Sequence, residues 1–213
     1  MNAYVCQPLT ANRRSRSLSF VDGIRLVGIA EPVAGVGIPR DLAAAASGSC
    51  PDVLGRVVAS RLDPGGPAVR WGLGAGDGDA AATALARIAL RRARDQVAWL
   101  AFATGDGWRD ALLADLGLAL AALLDDLTPR QAEIACLILV DGARQAAVAG
   151  ALGVSRATVS VTVARGRLPA IAGALRAIEA LLVGPPGPGA GCEGSAAANR
   201  SAVDRSVPAA RQR

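Results

Sequence analysis

The sequence contains no lysine and no histidine, and only 3% of its residues are aromatic. Without histidine the zinc ligand sets that contain it cannot form, and without lysine a nucleotide-binding phosphate loop lacks its cation. All 23 basic residues are therefore arginines, whose guanidinium groups stay charged and suit carboxylates and phosphates. The 18 acidic residues leave a net charge of +5, which does not by itself indicate a nucleic-acid-binding protein.

Cysteines are few and scattered: Cys6, Cys50, Cys136 and Cys192 form no C-x-x-C pair. We interpret them as free thiols in a reducing cytoplasm rather than as a disulfide framework. The N-terminus shows no basic segment followed by an apolar core and a cleavage site. Asp115 also interrupts the most apolar helix well before the roughly 20 residues that a membrane span needs. We therefore expect a cytoplasmic protein with no membrane partner and no cofactor.

The composition divides the chain into four parts. Residues 1–19 are polar, contain the arginine cluster NRRSRS and predict a flexible arm, whereas residues 184–213 are rich in Gly, Pro and Ser and predict a disordered tail. Residues 20–108 predict a small α/β domain for regulation or dimerisation, and residues 109–183 a helical domain. The expected fold class is α+β, a short α/β half followed by an all-α half.

Strands and helices alternate in the predicted α/β half. The run IRLVGIAEPVAGVGI predicts one or two strands within 20–38, and AVRWGLGAG predicts a strand over 68–76. Between them, PDVLGRVVASRL has helical spacing. A further helix is predicted from Ala80 to about Ala98, with the arginines at 87, 91 and 94 on one face.

The glycine-rich stretch WGLGAGDGD invites comparison with nucleotide-binding loops. Its glycines alternate, so Asp77 and Asp79 stand at the positions where G-x-G-x-x-G needs its last glycine. No G-K-[ST] follows. A strand that ends in a turn of Gly and Asp explains the same residues without a ligand. Two aspartates are also too few for a divalent-cation site, so no metal is predicted.

The helical half carries clear start and stop signals. Thr128, Pro129 and Gln131 form a predicted capping box that begins a helix ending near Asp141-Gly142. A second helix runs from Gln145 to Leu152 and stops at Gly153. Ser155 then caps a third helix, and LPAIAGALRAIEALL predicts a fourth with its apolar face on Ile171, Leu175, Ile178 and Leu182.

The spacing of Gln145, Val148-Ala149, Leu152-Gly153-Val154-Ser155 and Thr158-Val159-Ser160 resembles the DNA-reading helix-turn-helix of bacterial regulators, as in sigma factor region 4 and LuxR-type domains. The resemblance implies a helix-turn-helix at 145–165 whose second helix enters the major groove of double-stranded DNA. Small side chains favour that approach. The predicted base-reading residues are Ser155, Arg156, Ala157, Ser160 and Val161, and the predicted phosphate contacts are Thr158, Arg165 and Arg167. An ordinary helical hairpin is the alternative.

A wider resemblance covers about residues 69–182. VRWGLGAGD, RIALRRARD, LTPRQAEIACLILVDG and the helix-turn-helix together resemble the SatD family, which has an α/β N-terminal half and a C-terminal helix-turn-helix. The N-terminal half departs from that pattern by being short and by lacking a clear acidic-aromatic motif before AVRWG. The family resemblance implies a regulator, and it assigns no role to this half of the chain.

Three functions compete. The first is a non-enzymatic, sequence-specific transcriptional regulator, expected to be a homodimer, with its N-terminal half used for dimerisation or sensing. The second is a nucleotide-binding or cyclase-like enzyme using Asp77, Asp79 and a metal, which would lack most usual acid-base and phosphate-binding groups. The third is a protein-protein interaction module.

Overall fold

The structure, a computed structural model, describes residues 24–33, 50–63 and 68–184. The predicted arm at 1–19 lies outside these residues, as does the predicted tail at 184–213 apart from Gly184. The chain is mixed α+β and mostly helical, with a small three-stranded sheet followed by several helices. The elements are β1 (Ile24–Pro32), α1 (Cys50–Leu62), β2 (Val69–Asp77), α2 (Asp79–Asp95), β3 (Leu100–Ala103), α3 (Gly107–Asp125), α4 (Pro129–Ala135), a π-helical segment (Cys136–Val140), α5 (Gln145–Leu152), α6 (Arg156–Arg165) and α7 (Leu168–Val183).

The sheet has the order β1-β2-β3, with β2 at its centre. β1 pairs antiparallel with β2 along its whole length, from Ile24 opposite Asp77 to Pro32 opposite Val69. β3 pairs parallel with β2, with Trp71 opposite Leu100. A parallel pair needs a crossover, and α2 supplies it. β2 is therefore the central strand on which the N-terminal half packs, and it is buried along most of its length.

The two faces of β2 are covered differently. Trp71 and Leu73 are fully buried on the face that packs against α1, and Trp71 Nε1 donates to Ser60 Oγ at 2.9 Å. On the other face a Cβ at Gly72 would lie 2.3 Å from the Leu90 amide nitrogen, and one at Gly74 would lie 2.1 Å from that of Ala86. The glycines thus let the backbone of α2 lie directly on the strand. The sequence predicts a strand that ends in a turn of Gly and Asp, and the close packing of α2 is the further reason for the glycines within the strand.

Ion pairs fasten α2 to both edges of the sheet. Glu31 of β1 accepts from Arg94 Nε at 2.7 Å and 2.8 Å and from Arg70 Nη1 at 3.1 Å. The Arg94 guanidinium, helped by Arg70, holds the pKa of Glu31 below its usual value despite partial burial. At the other edge Arg92 donates to the Phe102 carbonyl at 3.0 Å and pairs with Asp110 at the start of α3.

One cluster of buried apolar side chains runs from Leu26 in β1 to Leu182 in α7. α3 packs along α7, and α1 contacts the π-helical segment and α7, so the sheet and the helices share this core. Arg109 in the first turn of α3 is 7% exposed and donates to the carbonyl of Gly184 at the end of α7. The predicted division between 108 and 109 falls inside that same turn.

Several predicted elements are confirmed, and the structure also contains two elements that the sequence did not predict. The strand at 68–76, the helix at 51–62 and the capping box at Thr128 are present, the last with both reciprocal hydrogen bonds. β3 was not predicted, and neither was the π-helical segment, where the Asp141 amide donates to the Cys136 carbonyl at 3.2 Å.

The free-thiol prediction is correct for one described cysteine and wrong for the other. Cys50 is free, and burial, with Glu179 nearby, raises the pKa of its thiol to about 12. Cys136 is disulfide-bonded, so at this position our reading of the scattered cysteines was mistaken. A scattered pattern does not exclude a disulfide because pairing depends on distances in the folded chain. Cys6 and Cys192 lie outside the described residues.

Candidate nucleic-acid interface

Helices α5 and α6 meet at a sharp bend. Gly153 follows α5 in the left-handed conformation, with φ 64°, where glycine carries no Cβ penalty. The Val154 amide donates to the Ala149 carbonyl at 3.0 Å and the Gly153 amide to the Gly150 carbonyl at 3.4 Å, which closes the last turn. The two helix axes differ in direction by 111°. The predicted end of α5 at Gly153 is confirmed.

Ser155 begins α6 as its N-cap. Its Oγ accepts from the Thr158 amide at 3.0 Å and lies 2.9 Å from Thr158 Oγ1. Thr162 Oγ1 in turn donates to the Thr158 carbonyl at 2.8 Å. The predicted cap is confirmed, and a base contact by Ser155 has to share its hydroxyl with the cap.

The inner faces of the two helices hold them in place. Val148 and Ala149 of α5 and Val159 of α6 are buried, as the apolar spacing predicted. α6 packs against α5, α4 and α7, and α5 also contacts the π-helical segment. The angle between α5 and α6 is therefore set by the contacts of α6 with three other helices as well as by the turn.

The outer surface of α6 is open to solvent. Val161, on this surface, is 51% exposed. Small residues around it let another surface approach the helix closely. All eight residues predicted to contact DNA are exposed: Ser155, Arg156, Ala157, Thr158, Ser160, Val161, Arg165 and Arg167.

The two arginines of α6 lie on opposite sides of the helix. At about 100° per residue, the nine positions from Arg156 to Arg165 place them about 180° apart around the axis. Ser160 shares the side of Arg156, and Thr158 shares that of Arg165. Ala157 and Val161 lie between these sides, opposite the buried Val159. The structure thus brings Thr158 and Arg165 together and keeps Arg156 apart from them.

A groove of about 600 Å³, open to solvent, separates α6 from the start of α4. α6 contributes the side of the helix that carries Thr158 and Arg165, and the segment opposite contributes Arg130 and Gln131. None of the lining residues, all of them in the described part of the chain, is acidic. The lining consists of Thr128, Arg130, Gln131, Ala157, Thr158, Val161, Thr162 and Arg165.

The segment of the chain that contains α5 and α6 has an excess of positive charge. Between Asp141 and Glu179 the sequence has no acidic residue and five arginines: Arg144, Arg156, Arg165, Arg167 and Arg176. None of the five has an ion pair or a side-chain hydrogen bond with another described residue. Sequence reasoning missed this run because the net charge of the whole chain hides it.

Arg167 stands in the turn that joins α6 to α7. Its φ is 51°, in the left-handed region, and its side chain is exposed. A residue with a Cβ in this conformation costs about 1–2 kcal/mol relative to the right-handed one. The turn therefore holds a guanidinium beside the end of α6 at an energetic cost that glycine would avoid.

The glycine-rich end of β2 offers less for binding. Asp77 ends the strand and Asp79 begins α2, both exposed, with Gly78 between them at φ 84°. The strand glycines face the backbone of α2 rather than a cavity. Across residues 24–33, 50–63 and 68–184, no group of three or more His, Cys, Asp or Glu residues is arranged to hold a metal ion.

Comparisons of the chain with protein-family models, with curated proteins and with solved structures give no match. In the described segments, no helix by itself has both the length and the apolar character to cross a membrane. α5 and α6 meet that test only when taken together as a bent pair.

Proposed function

We propose that the chain is a sequence-specific, DNA-binding transcriptional regulator, in which α5 and α6 form a helix-turn-helix and α6 reads double-stranded DNA. The observation that carries the proposal is the pairing of the 111° bend with an exposed α6 whose arginines have no described partner. A helix-turn-helix joins two helices at about 90–120° by a short turn that often contains glycine. The proposal assigns no catalytic role to the chain.

The arrangement of side chains on α6 supports a division of tasks. A helix enters the major groove with small residues towards the bases, as Ala157 and Val161 would be, and with its sides towards the two DNA strands. Arg156 lies in the first turn of α6, where recognition helices contact base edges. Arg165 ends the helix on the opposite side, where a backbone strand passes.

The N-terminal half, in this proposal, serves dimerisation or sensing, and the chain is a SatD-like regulator that acts as a homodimer. β1 supports the dimer, since it pairs only with β2 among the described strands and is a nine-residue edge. Unpaired strand edges are sites at which chains pair with other chains.

The test uses a duplex enriched from a random-sequence library and a scrambled duplex of the same composition. Arg156→Ala is expected to cost about 1–3 kcal/mol on the enriched duplex and little on the scrambled one, because a base contact is lost. Binding titrations at several salt concentrations measure both.

Arg165→Ala provides the matched comparison on the same helix. It is expected to weaken both duplexes alike and to lower the slope of log affinity against log salt by about one unit. Equal losses on both sequences for Arg156→Ala would contradict its base-reading role. Absence of duplex binding by the unmodified chain would contradict the proposed function.

A further inference from the structure

The groove between α4 and α6 is lined by hydrogen-bond donors that have no acceptor. Arg165 has five N–H donors and no described partner. Gln131 uses its Oε1 to accept from the Thr128 amide at 2.9 Å, while its NH₂ group donates to no described residue. A groove whose walls carry spare hydrogen-bond donors and no acidic residue fits an anion.

Arg130, on the wall opposite Arg165, is only loosely held. It pairs with Glu133 one turn further along, and its Nη2 lies 3.5 Å from the Leu152 carbonyl at the end of α5. The side chain of Arg130 is 47% exposed and that of Glu133 is 30% exposed. An exposed i,i+3 ion pair of this kind contributes little stability, so a stronger anion can displace the carboxylate.

We infer that this groove seats one backbone phosphate of the bound duplex, held by Arg130 and Arg165 from its two walls, and that the phosphate displaces Glu133 from Arg130. The inference rests on the proposed function and extends it to a residue outside α6. The groove lies on one side of α6, next to the small residues that face the bases. This is where the sugar-phosphate strand bordering the major groove passes when a helix is inserted.

The openness of the groove favours a polymer over a small molecule. With a volume of about 600 Å³ open to solvent, it encloses no ligand on all sides. Small-molecule sites bury most of the surface of their ligand, whereas a phosphodiester strand enters and leaves its contact sites. A backbone phosphate is therefore the form of the anion to which the groove is suited.

The experiment compares Arg130→Ala, Arg130→Lys and Glu133→Gln in the full chain on the enriched and scrambled duplexes. Arg176→Ala is the matched control, because Arg176 is exposed, has no described partner and lies on a different groove beside α1. Circular dichroism and the thermal midpoint check that each variant is folded.

Arg130→Ala is expected to weaken both duplexes about fivefold and to lower the salt slope by about one unit, because one phosphate contact is lost. Arg130→Lys is expected to keep the slope. Glu133→Gln is expected to tighten binding to both duplexes about twofold to fivefold, because no ion pair has to be broken. Arg176→Ala is expected to leave the slope unchanged.

Two outcomes would overturn the inference while leaving the proposed function intact. In the first, Arg130→Ala loses affinity with an unchanged salt slope, which identifies a structural role through the Leu152 carbonyl. In the second, Arg130→Ala and Glu133→Gln both bind like the unmodified chain while Arg156→Ala still loses sequence preference. If the unmodified chain binds neither duplex, the proposed function itself fails.

Discussion

Arginines pair with carboxylates in one region of this chain and stay unpaired throughout another. Around the sheet, four arginines are bound to carboxylates, Arg61 to Asp125, Arg70 and Arg94 to Glu31, and Arg92 to Asp110. The other four described there, at positions 25, 56, 87 and 91, have no such partner among the described residues. Between Asp141 and Glu179, five arginines have no such partner among the described residues. Since the sequence has no lysine, the same side chain serves in both regions.

The paired arginines around the sheet stabilise the fold, whereas the unpaired arginines of α6 are available to a partner. Around the sheet, residues contact other parts of the same chain closely, and the strand glycines lack the Cβ atoms that would keep α2 away. The surface of α6 is held in place from behind and keeps its charges unpaired. Substitutions around the sheet should therefore act on stability, and those on α6 on binding.

The largest effect is expected at Gly74. Gly74→Ala places a Cβ 2.1 Å from the amide nitrogen of Ala86, and because backbone cannot move aside as a side chain can, we expect a loss of more than about 3 kcal/mol. Urea denaturation of Gly74→Ala, of Gly76→Ala and of the unmodified chain measures this loss of stability. The Cβ of the second variant would lie 3.1 Å from its nearest atoms, so its loss should be smaller.

Gly55→Ala is the control for that series. Gly55 lies within α1 and a Cβ there would meet nothing within 4 Å, so the variant should gain about 0.5–1 kcal/mol. If Gly74→Ala proved as stable as the unmodified chain, the close packing of α2 on β2 would be wrong.

Glu31→Gln should have the next largest effect. The variant removes the charged acceptor of Arg70 and Arg94, and because Arg94 is half exposed we expect a loss of about 1–2 kcal/mol at pH 7. The pKa of Glu31 is lowered in the folded chain, so its contribution is complete above the ordinary value of 4.5 and disappears as the pH falls through the lowered one.

Denaturation of Glu31→Gln and of the unmodified chain between pH 3 and pH 7 measures this dependence. The stability gap should narrow at the acidic end. Asp115→Asn is the control, since Asp115 is exposed and has no described partner. A gap that stayed constant across this range would show that the loss does not come from the charge of Glu31.

A smaller effect on stability is expected at Arg167, and its sign should be opposite to that at Gly74 and Glu31. Arg167→Gly relieves the left-handed conformation at φ 51° and should stabilise the chain by about 1 kcal/mol. Under the proposed function, the same variant should weaken enriched and scrambled duplexes alike, because the proposed phosphate contact of Arg167 would be removed. Thermal denaturation and duplex titration of the same preparation measure the stability and the binding of this variant. A loss of stability would contradict the cost assigned to the left-handed conformation of Arg167.

Sequence reasoning was most successful where a local rule determines the structure. The capping box at Thr128, the stop at Gly153 and the cap at Ser155 each depend on neighbours within a few residues. The strand LAFA was missed because four apolar residues, two of them alanine, resemble a helix segment as much as a strand. The π-helical segment was missed because CLILV carries no polar residue to mark an altered hydrogen-bond pattern.

The sequence predicted the residues of the candidate site that lie on one helix, but not those that other parts of the chain contribute. The residues of α6 could be chosen from spacing because one helix fixes their relative positions. Arg130 and Gln131 could not be, since their place opposite Arg165 depends on how α4 packs on α6. The role of the strand glycines was hidden in the same way, because a close approach by α2 leaves no mark in the spacing of β2.

Arg109 ties the beginning of α3 to the end of α7. Its buried guanidinium donates to the Gly184 carbonyl, 75 positions along the chain, and lies 3.6 Å from Asp106. Separating these two ends would take the carbonyl acceptor away from a buried guanidinium and leave it with Asp106 alone. The end of α7 should therefore fray less readily than a helix end that has no such contact.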